Sequence, residues 1–168
     1  MSVYLEWSNK IKTQSTSQWL THSQLAAYKQ LASSWRSHTY VGLVGPKGSG
    51  KSFIARLLER EAGFVYARSL EDVVAGARKV VLDDRTYSRT DQSIAASLEL
   101  TRVVFVGRKR PRDEIPCANL ELDDTDVEEF QHALFQNRII VSFRTRPSTR
   151  DLEQILLDEA SAKVGTGL

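Results

Sequence analysis

Short apolar runs alternate along the chain with segments in which apolar side chains recur at helical intervals. Strands are predicted from the apolar runs at 40–44, 64–66, 79–84, 103–107, 118–122 and 139–143. Helices are predicted over 22–37, from 51 to 63, over 88–100 and 126–136, and after Ser148. Runs that are apolar on both sides are typical of parallel strands covered on both faces. The alternation therefore predicts an α/β fold with a doubly wound, mainly parallel sheet, and a ligand site at the carboxyl ends of its strands.

Polar residues at a fixed spacing mark the starts of three predicted helices. In a capping box, the N-cap residue and a polar residue three positions later bond to each other's backbone N–H. Pairs with this spacing are Thr21 with Gln24, Thr125 with Glu128, and Ser148 with Asp151. We therefore expect Thr21, Thr125 and Ser148 to be N-caps.

A glycine-rich segment, Gly45-Pro46-Lys47-Gly48-Ser49-Gly50-Lys51-Ser52, joins the first apolar run to a predicted helix. It matches GxxxxGK[ST] in the strand–loop–helix context of a P-loop. Its glycines permit positive φ, so backbone N–H groups can converge on a phosphate at the positive end of the helix. Lys51 is predicted to reach the β- and γ-phosphates, and the Ser52 hydroxyl to ligate Mg²⁺. We therefore predict ATP and Mg²⁺ as ligands, with nucleotide contacts from Gly45 through Phe53.

Two acids, Asp83 and Asp84, end the apolar strand at 79–84. In a P-loop fold, the first acid at such a strand end accepts hydrogen bonds in the magnesium shell, and the second can orient or activate the attacking water. We therefore assign Asp83 to the metal, together with Ser52. Asp84 and Lys51 are the predicted catalytic residues.

A basic segment follows the apolar run at 103–107. It contains Arg108, Lys109, Arg110 and Arg112. These residues could present an arginine finger to a neighbouring subunit or contact nucleic acid. A solvated loop is the simplest interpretation, because charge runs are usually exposed.

Composition limits the setting and the number of domains. The chain has 168 residues, of which 41% are hydrophobic, enough for one globular core. Its one cysteine, Cys117, allows no internal disulfide, and no apolar run is long enough to span a membrane, so we expect a cytoplasmic protein. The net charge of +2 does not by itself indicate nucleic-acid binding.

The chain divides into three predicted parts. Residues 1–38 form an N-terminal helical extension, 39–137 the nucleotide-binding core, and 138–168 a reduced, lid-like C-terminal segment. Aromatic residues of the extension, among them Tyr4, Trp7 and Trp19, favour packing against the core, with a partner surface or an adenine-stacking wall as alternatives.

These segments resemble a compact P-loop ATPase of the AAA+ type. The resemblance rests on the P-loop, the strand that ends in acids, the third apolar run, and Asn119-Leu120-Glu121-Leu122 followed by a capped helix. The segment 148–160 is similar to the sensor-2 helix of that family, in which an arginine near the helix start contacts the γ-phosphate. The resemblance therefore implies that Arg150 is a γ-phosphate sensor and that the P-loop core carries a reduced C-terminal lid.

Three features depart from the family pattern. The second acid is Asp84 where the family usually has Glu, so it is one methylene shorter and hydrolysis is expected to be slow. The third apolar run ends in Gly107 and Arg108, where the family has a polar sensor-1 residue. The stretch between the predicted helix at 126–136 and Arg150 is too short for a full helical lid.

The predicted function is a slow ATPase or ATP-dependent switch that acts on a protein or nucleic-acid assembly, with a homo-oligomer or a protein partner. One alternative is a small-molecule P-loop kinase, in which Arg85 and Arg89 would serve as lid arginines. Another is an interaction module that binds ATP without hydrolysing it.

Overall fold

The fold is built from one parallel sheet and helices on both of its faces. The computed structural model describes residues 2–112, 115–142 and 146–165. In these ranges the strands are β1 Tyr40–Val44, β2 Val65–Ala67, β3 Lys79–Asp83, β4 Arg102–Gly107 and β5 Cys117–Asn119. The α-helices are α1 Val3–Gln14, α2 His22–Ser34, α3 Lys51–Ala62, α4 Arg89–Ser97, α5 Asp124–Gln136 and α6 Leu152–Gly165.

The five strands pair in the order β2-β3-β4-β1-β5, and every pair is parallel. Val44 at the end of β1 aligns with Gly107 of β4 and with Asn119 of β5. Asp83 at the end of β3 aligns with Val106 of β4. The predicted doubly wound parallel sheet is confirmed, and its register brings the carboxyl ends of β1, β3 and β4 to one edge.

Successive residues of the central strands enter two different cores. Val104 packs with α2 and α3 in the core on one face of the sheet, whereas Val103 and Phe105 pack on the other face with Ala95 of α4. Because both faces are covered, these strands show no polar alternation.

Within the predicted N-terminal extension, residues Val3–Gln14 form a docked helix, α1, whose bounds the sequence analysis did not give. Trp7 of α1 and Trp19, in the 3₁₀ turn that follows, are buried with Leu134 of α5 and Leu156 of α6. For these two tryptophans, packing against the core is the interpretation that the structure bears out.

Two of the predicted helix caps are wrong. Helix α5 begins earlier than expected, because Asp123 Oδ1 accepts from the Asp126 N–H (3.1 Å) and Asp126 Oδ2 from the Asp123 N–H (2.7 Å). Helix α6 is capped by Asp151, whose Oδ1 accepts from the Gln154 N–H (2.9 Å), and not by Ser148. Aspartate is as good an N-cap as serine or threonine, so at each helix start several neighbouring residues were acceptable N-caps.

The strand predicted at 139–143 is wrong for the four residues of it that the structure describes, and Phe143 lies outside them. Ile139 and Val141 are buried, but their backbone groups form hydrogen bonds with α5. The Ile139 N–H donates to Leu134 O (2.8 Å), and Gln131 Nε2 donates to Val141 O (3.2 Å). Helix α5 thus satisfies backbone groups that a neighbouring strand would otherwise pair with.

Candidate functional site

The glycine-rich loop lies between β1 and α3 at the carboxyl edge of the sheet. Gly48 and Gly50 have φ of 73° and 93°, in the left-handed region that favours glycine. Gly50 is the N-cap of α3, which begins at Lys51. The loop is also braced internally, since Ser49 Oγ donates to Pro46 O (2.8 Å). This geometry directs the N-terminus of a twelve-residue helix at the space above the loop.

Lys51 folds back over the loop. Its ammonium group donates to Pro46 O at 2.5 Å. Burial lowers the Lys51 pKa from its usual value, and the nearby positive charge of Arg108 lowers it further, while Asp83, Asp84 and Asp151 oppose the shift. The predicted phosphate-binding lysine therefore sits among charged groups from several strand ends.

Ser52 and Asp83, the two predicted metal ligands, lie in direct contact. Ser52 Oγ donates to Asp83 Oδ1 at 3.2 Å, and Asp83 is only 3% exposed. The Tyr66 hydroxyl donates to Asp83 Oδ2 (2.5 Å), and the Asp84 N–H donates to Asp83 Oδ1 (3.0 Å). A carboxylate and a hydroxyl oxygen beside a phosphate loop are ligands that Mg²⁺ prefers, so the donor set fits that ion.

Asp84 is exposed and has a φ of 57°, which is unusual for a residue other than glycine. It lines an open cleft of about 360 Å³ between the ends of β3 and β4. The other residues of this cleft are Arg85, Thr86, Gly107, Arg108 and Lys109. The predicted water-positioning acid is thus at the correct edge of the sheet and is open to solvent.

Arg150, the predicted γ-phosphate sensor, points towards α5. Its Nη1 donates to Leu122 O (3.0 Å), and its Nε lies 3.6 Å from Asp124 Oδ1. The next residue, Asp151, contacts the loop instead. Its carboxylate fills the space beside the Cα of Gly48.

Helix α6 is also joined to the loop through its backbone, because the Leu152 N–H donates to Gly48 O (2.8 Å). A phosphate at Gly48 would therefore lie close to the Asp151 carboxylate. Contact between Arg150 and a γ-phosphate would require Arg150 to leave Leu122 and Asp124.

Sequence reasoning missed Gln24, which supports the loop from α2. Its Nε2 donates to Ser49 O (3.0 Å), its Oε1 accepts from the Thr21 N–H (3.1 Å), and it is 2% exposed. A side chain placed on Gly50 would collide with it. Its capping-box position was visible in the sequence, whereas its contact with the loop was not, since the loop lies 25 residues away.

A cavity of about 440 Å³ extends from the loop between α1, α3, α5 and α6. Its polar end includes Lys51, Ser52 and Asp83. Its other walls include apolar and aromatic side chains, namely Tyr4, Ile11, Trp19, Phe53, Tyr66, Phe130, Leu152 and Leu156. Small-molecule sites commonly have this volume and this combination of an apolar wall with a few polar groups.

The residues of the basic segment, Arg108, Lys109, Arg110 and Arg112, are exposed. They do not all face one ligand. Arg108 and Lys109 line the cleft beside Asp84, whereas the positive charge of Arg110 acts on Cys117, whose pKa is raised mainly by burial.

A separate charged cluster joins α2 to α5. His22 Nδ1 is 3.0 Å from Glu129 Oε2, and its Nε2 is 2.9 Å from Asp123 Oδ2. Hydrogen bonds to Glu129 and Asp123 raise the His22 pKa to about 9. Both ring nitrogens are then protonated donors, so a metal would have to displace a proton to bind there. The geometry is that of an imidazolium between carboxylates.

No protein-family model and no curated protein matches this chain. Solved structures that are similar to it in three dimensions include the following two. One is a DNA replication initiation factor, with a TM-score of 0.58 and 14% identity, covering 83% of this chain and 59% of that one. The other is the replication initiator DnaA bound to AMPPCP and single-stranded DNA, with a TM-score of 0.59 and 11% identity, covering 85% of this chain and 61% of that one.

This chain thus spans 59% and 61% of the two solved chains it matches. At such low identity the likeness concerns the fold alone, which is P-loop NTPase-like. None of the helices within the described residues is long and apolar enough to cross a membrane.

Proposed function

We propose that this chain binds ATP with Mg²⁺ and acts as a slow ATPase or nucleotide switch. The observation that carries the proposal is the contact between Ser52 and Asp83 beside a phosphate loop of the required backbone geometry. Loop, helix terminus, hydroxyl and buried carboxylate come from separate parts of the chain and converge on one space. A turn without a ligand would not need all four.

The phosphate groups would lie over the loop. The N–H groups of the loop and the N-terminus of α3 would hold them, and Lys51 would exchange its bond to Pro46 O for phosphate oxygens. Ser52 and Asp83 would hold Mg²⁺, which supplies positive charge to the β- and γ-phosphates. Tyr66, through its bond to Asp83, would orient that carboxylate.

The nucleoside would extend into the 440 Å³ cavity, whose walls include Tyr4 of α1 and Phe130 of α5. The N-terminal extension would therefore cover the base. The chain contains no Asn-Lys-x-Asp segment of the kind that recognises guanine, so ATP is the proposed nucleotide.

Slow turnover follows from the groups around the γ-phosphate. Asp84 is exposed to solvent, so a water molecule there is poorly ordered. Arg150 is held by Leu122 O and by Asp124, away from the loop. Phosphoryl transfer depends on positioning and charge stabilisation, and both are incomplete in this arrangement.

The proposed role is that of a switch acting on a protein or nucleic-acid assembly in the cytoplasm. The fold is shared with a replication initiator that was solved with AMPPCP and single-stranded DNA. Lys109, Arg110 and Arg112 give the chain exposed basic groups that suit a phosphate backbone. The lone cysteine, Cys117, is buried, as suits a reducing compartment.

The two alternative functions differ in their support. A small-molecule kinase needs mobile arginines, but Arg85 is already fixed to Asp91 by bonds of 2.7 and 3.1 Å. A module that binds ATP without hydrolysis is supported by the engaged Arg150 and the exposed Asp84. It is the second candidate, and phosphate release separates it from the switch.

Binding of a fluorescent ATP analogue, with Mg²⁺ and with EDTA, tests the proposal. Lys51→Ala is expected to lower affinity at least about tenfold, since it removes a charged phosphate contact. Lys29→Ala, an exposed lysine of α2, is the matched control and should bind as the wild type does. EDTA should weaken wild-type binding. Equal affinity of Lys51→Ala and the wild type would refute the proposal.

A further inference from the structure

The cavity that extends from the phosphate loop has two walls of different chemistry. On the side of α5 and α6 the lining is mainly apolar and includes Phe130, Leu152 and Leu156. On the side of α3 and β2 it contains two arginines, Arg56 and Arg68. The apolar wall suits the nucleoside proposed above, whereas the nucleotide gives these two arginines no role.

Tyr66 contacts both arginines. The Arg56 guanidinium carbon lies over the Tyr66 ring, 3.5 Å from its centre. Burial and the bond to Asp83 raise the pKa of the Tyr66 hydroxyl, while the charge of Arg56 and a hydrogen bond from Arg68 oppose this rise. Both guanidinium groups therefore lie against one side chain and close to each other.

The two acids that line the cavity, Asp83 and Glu153, do not neutralise the arginines. Their carboxylates accept hydrogen bonds from tyrosine hydroxyls, Asp83 from Tyr66 and Glu153 from Tyr4 (3.1 Å). Neither acid forms a salt bridge within the described residues. The positive charge of the basic wall is thus left without an ion-pair partner inside the cavity.

Outside the cavity, the arginines have one weak ion pair between them. Arg56 Nη1 is 3.0 Å from Glu59 Oε2 on the surface of α3, where both side chains are more than a third exposed. Arg68 is exposed and has no salt bridge in the part of the chain that the structure describes. A guanidinium that lies on a ring keeps its N–H donors in its own plane, available to an oxyanion. An anion placed between two such cations would stabilise both.

We propose that Arg56 and Arg68 form a second anion site, which binds the phosphate group of a small molecule other than the nucleotide at the loop. This goes beyond the proposed function, because the site is on a separate wall and does not require a nucleotide. A phosphate monoester carries a charge of about −1.5 to −2 near pH 7 and three terminal oxygens, which suit two guanidinium groups. The site is inside a cavity that is also lined by α1, through Tyr4, Ser8 and Lys12, which favours a small molecule over a nucleic-acid strand.

The test is an NMR titration of the ¹⁵N-labelled full chain with inorganic phosphate, with AMPPCP and Mg²⁺ present to occupy the loop. The Nε–Hε signals of Arg56 and Arg68 should shift together and give one affinity. The signal of Arg36, an exposed arginine outside the cavity, should not shift. Sodium chloride at the same ionic strength should not reproduce the shifts, because it screens charge without bridging the two arginines.

Three variants separate the site from general charge effects. Arg68→Ala should lower the phosphate affinity at least about tenfold, read from the Arg56 signal, since it removes a charge-assisted hydrogen bond. Arg56→Lys should also weaken binding, read from the Arg68 signal, because lysine keeps the charge and lacks the planar fork of donors. Arg36→Ala should bind phosphate as the wild type does. The dispersed backbone spectrum of each variant verifies that it is folded.

Several outcomes overturn the inference. Phosphate that shifts neither arginine signal would do so, as would an unchanged phosphate affinity in Arg68→Ala. A single-stranded oligonucleotide that binds more tightly than phosphate through the same two arginines would assign them to a nucleic-acid backbone instead.

The same titration keeps this inference distinct from the proposed function. If the wild type does not bind AMPPCP, but Arg56 and Arg68 respond to phosphate in the wild type and in Lys51→Ala alike, the proposed function is wrong and the anion site is supported. If AMPPCP binds and phosphate shifts neither arginine, the anion site is wrong and the proposed function is unaffected.

Discussion

His22, the first residue of α2, forms ion pairs with carboxylates at and beside the start of α5. It lies within 3.3 Å of carboxylate oxygens of Asp123, Asp126 and Glu129. Of these, Asp126 is fully buried, and its two oxygens already accept the N–H groups of Ser23 and Asp123. The imidazolium therefore lies beside a buried carboxyl group at the start of α5, close to Gln24 and the loop that Gln24 supports.

Stability should therefore depend on the protonation of His22. The folded-state pKa is about 9, above the ordinary value of 6.5, so folding favours the protonated form. The stabilisation is complete below pH 6.5 and is lost as pH rises towards 9. Urea unfolding at intervals between pH 6 and 9.5 should show a midpoint that falls over this range. In His22→Asn the fall should be smaller, because the titrating group is gone.

The difference between the wild type and His22→Asn isolates this residue, since the lowered pKa of Lys51 is common to both proteins. Parallel pH profiles of the two proteins would show that the histidine contributes nothing. Leaving the carboxylates unpaired should also make His22→Asn less stable than the wild type at pH 6, where the imidazolium is fully formed.

At the scale of elements, local sequence patterns correctly predicted the strands, loops and helices that are determined by residues close together in the sequence. The strand β1, the loop and the helix α3 follow from a short apolar run and a motif of fixed spacing. The contact of Ser52 with Asp83 also follows, because parallel strands end at the same edge. Within the predicted helical extension, the bounds of helix α1 were not predicted, since its apolar side chains are interspersed with serine, asparagine and glutamine.

Other features depend on contacts that sequence spacing does not reveal. The start of α5 was misplaced by two residues because Asp123, Asp124 and Thr125 are all acceptable caps. Residues 139–142 have the apolar run typical of a strand, but their backbone groups bond to α5 and not to a neighbouring strand. Gln24 and Tyr66 support the site through contacts between elements distant in sequence.

The docking of α1 should contribute strongly to stability. Trp7 is 7% exposed and packs with residues of α5 and α6. Trp7→Ala leaves a large cavity and should reduce the free energy of unfolding by about 3–5 kcal/mol, measured by chemical denaturation. Leu5→Ala, at a site on the same helix that is 51% exposed, should change it by less than about 0.5 kcal/mol. Similar effects of the two substitutions would indicate that α1 is not docked in solution.

At the scale of the whole molecule, the sheet order decides which groups meet. Because β4 is placed between β1 and β3, the loop, the acidic pair and Arg108 share one edge. Helices α1, α2 and α6 then contact this edge from outside the sheet, through the cavity wall, Gln24 and Asp151 respectively. Ligand binding at the site should therefore stabilise elements throughout the chain, from the N-terminal helix α1 to the C-terminal helix α6.

Nucleotide binding should for this reason raise the free energy of unfolding of the whole molecule, while ATP hydrolysis remains slow. A ligand that binds only the folded state adds RT ln(1 + [L]/Kd), about 2.7 kcal/mol at 100 times Kd. For a chain of this size the corresponding rise in Tm is roughly 5–10 °C. ATP with Mg²⁺ at the same concentration should produce this rise in the wild type and about half of it or less in Lys51→Ala, whose affinity is at least about tenfold lower. Phosphate release should stay below about one per second, under the usual range of enzyme turnover. Phosphate release at tens per second would show that Asp84 positions water well despite its exposure. If saturating ATP caused no rise in Tm, the protein would not bind ATP and the proposed function would be wrong.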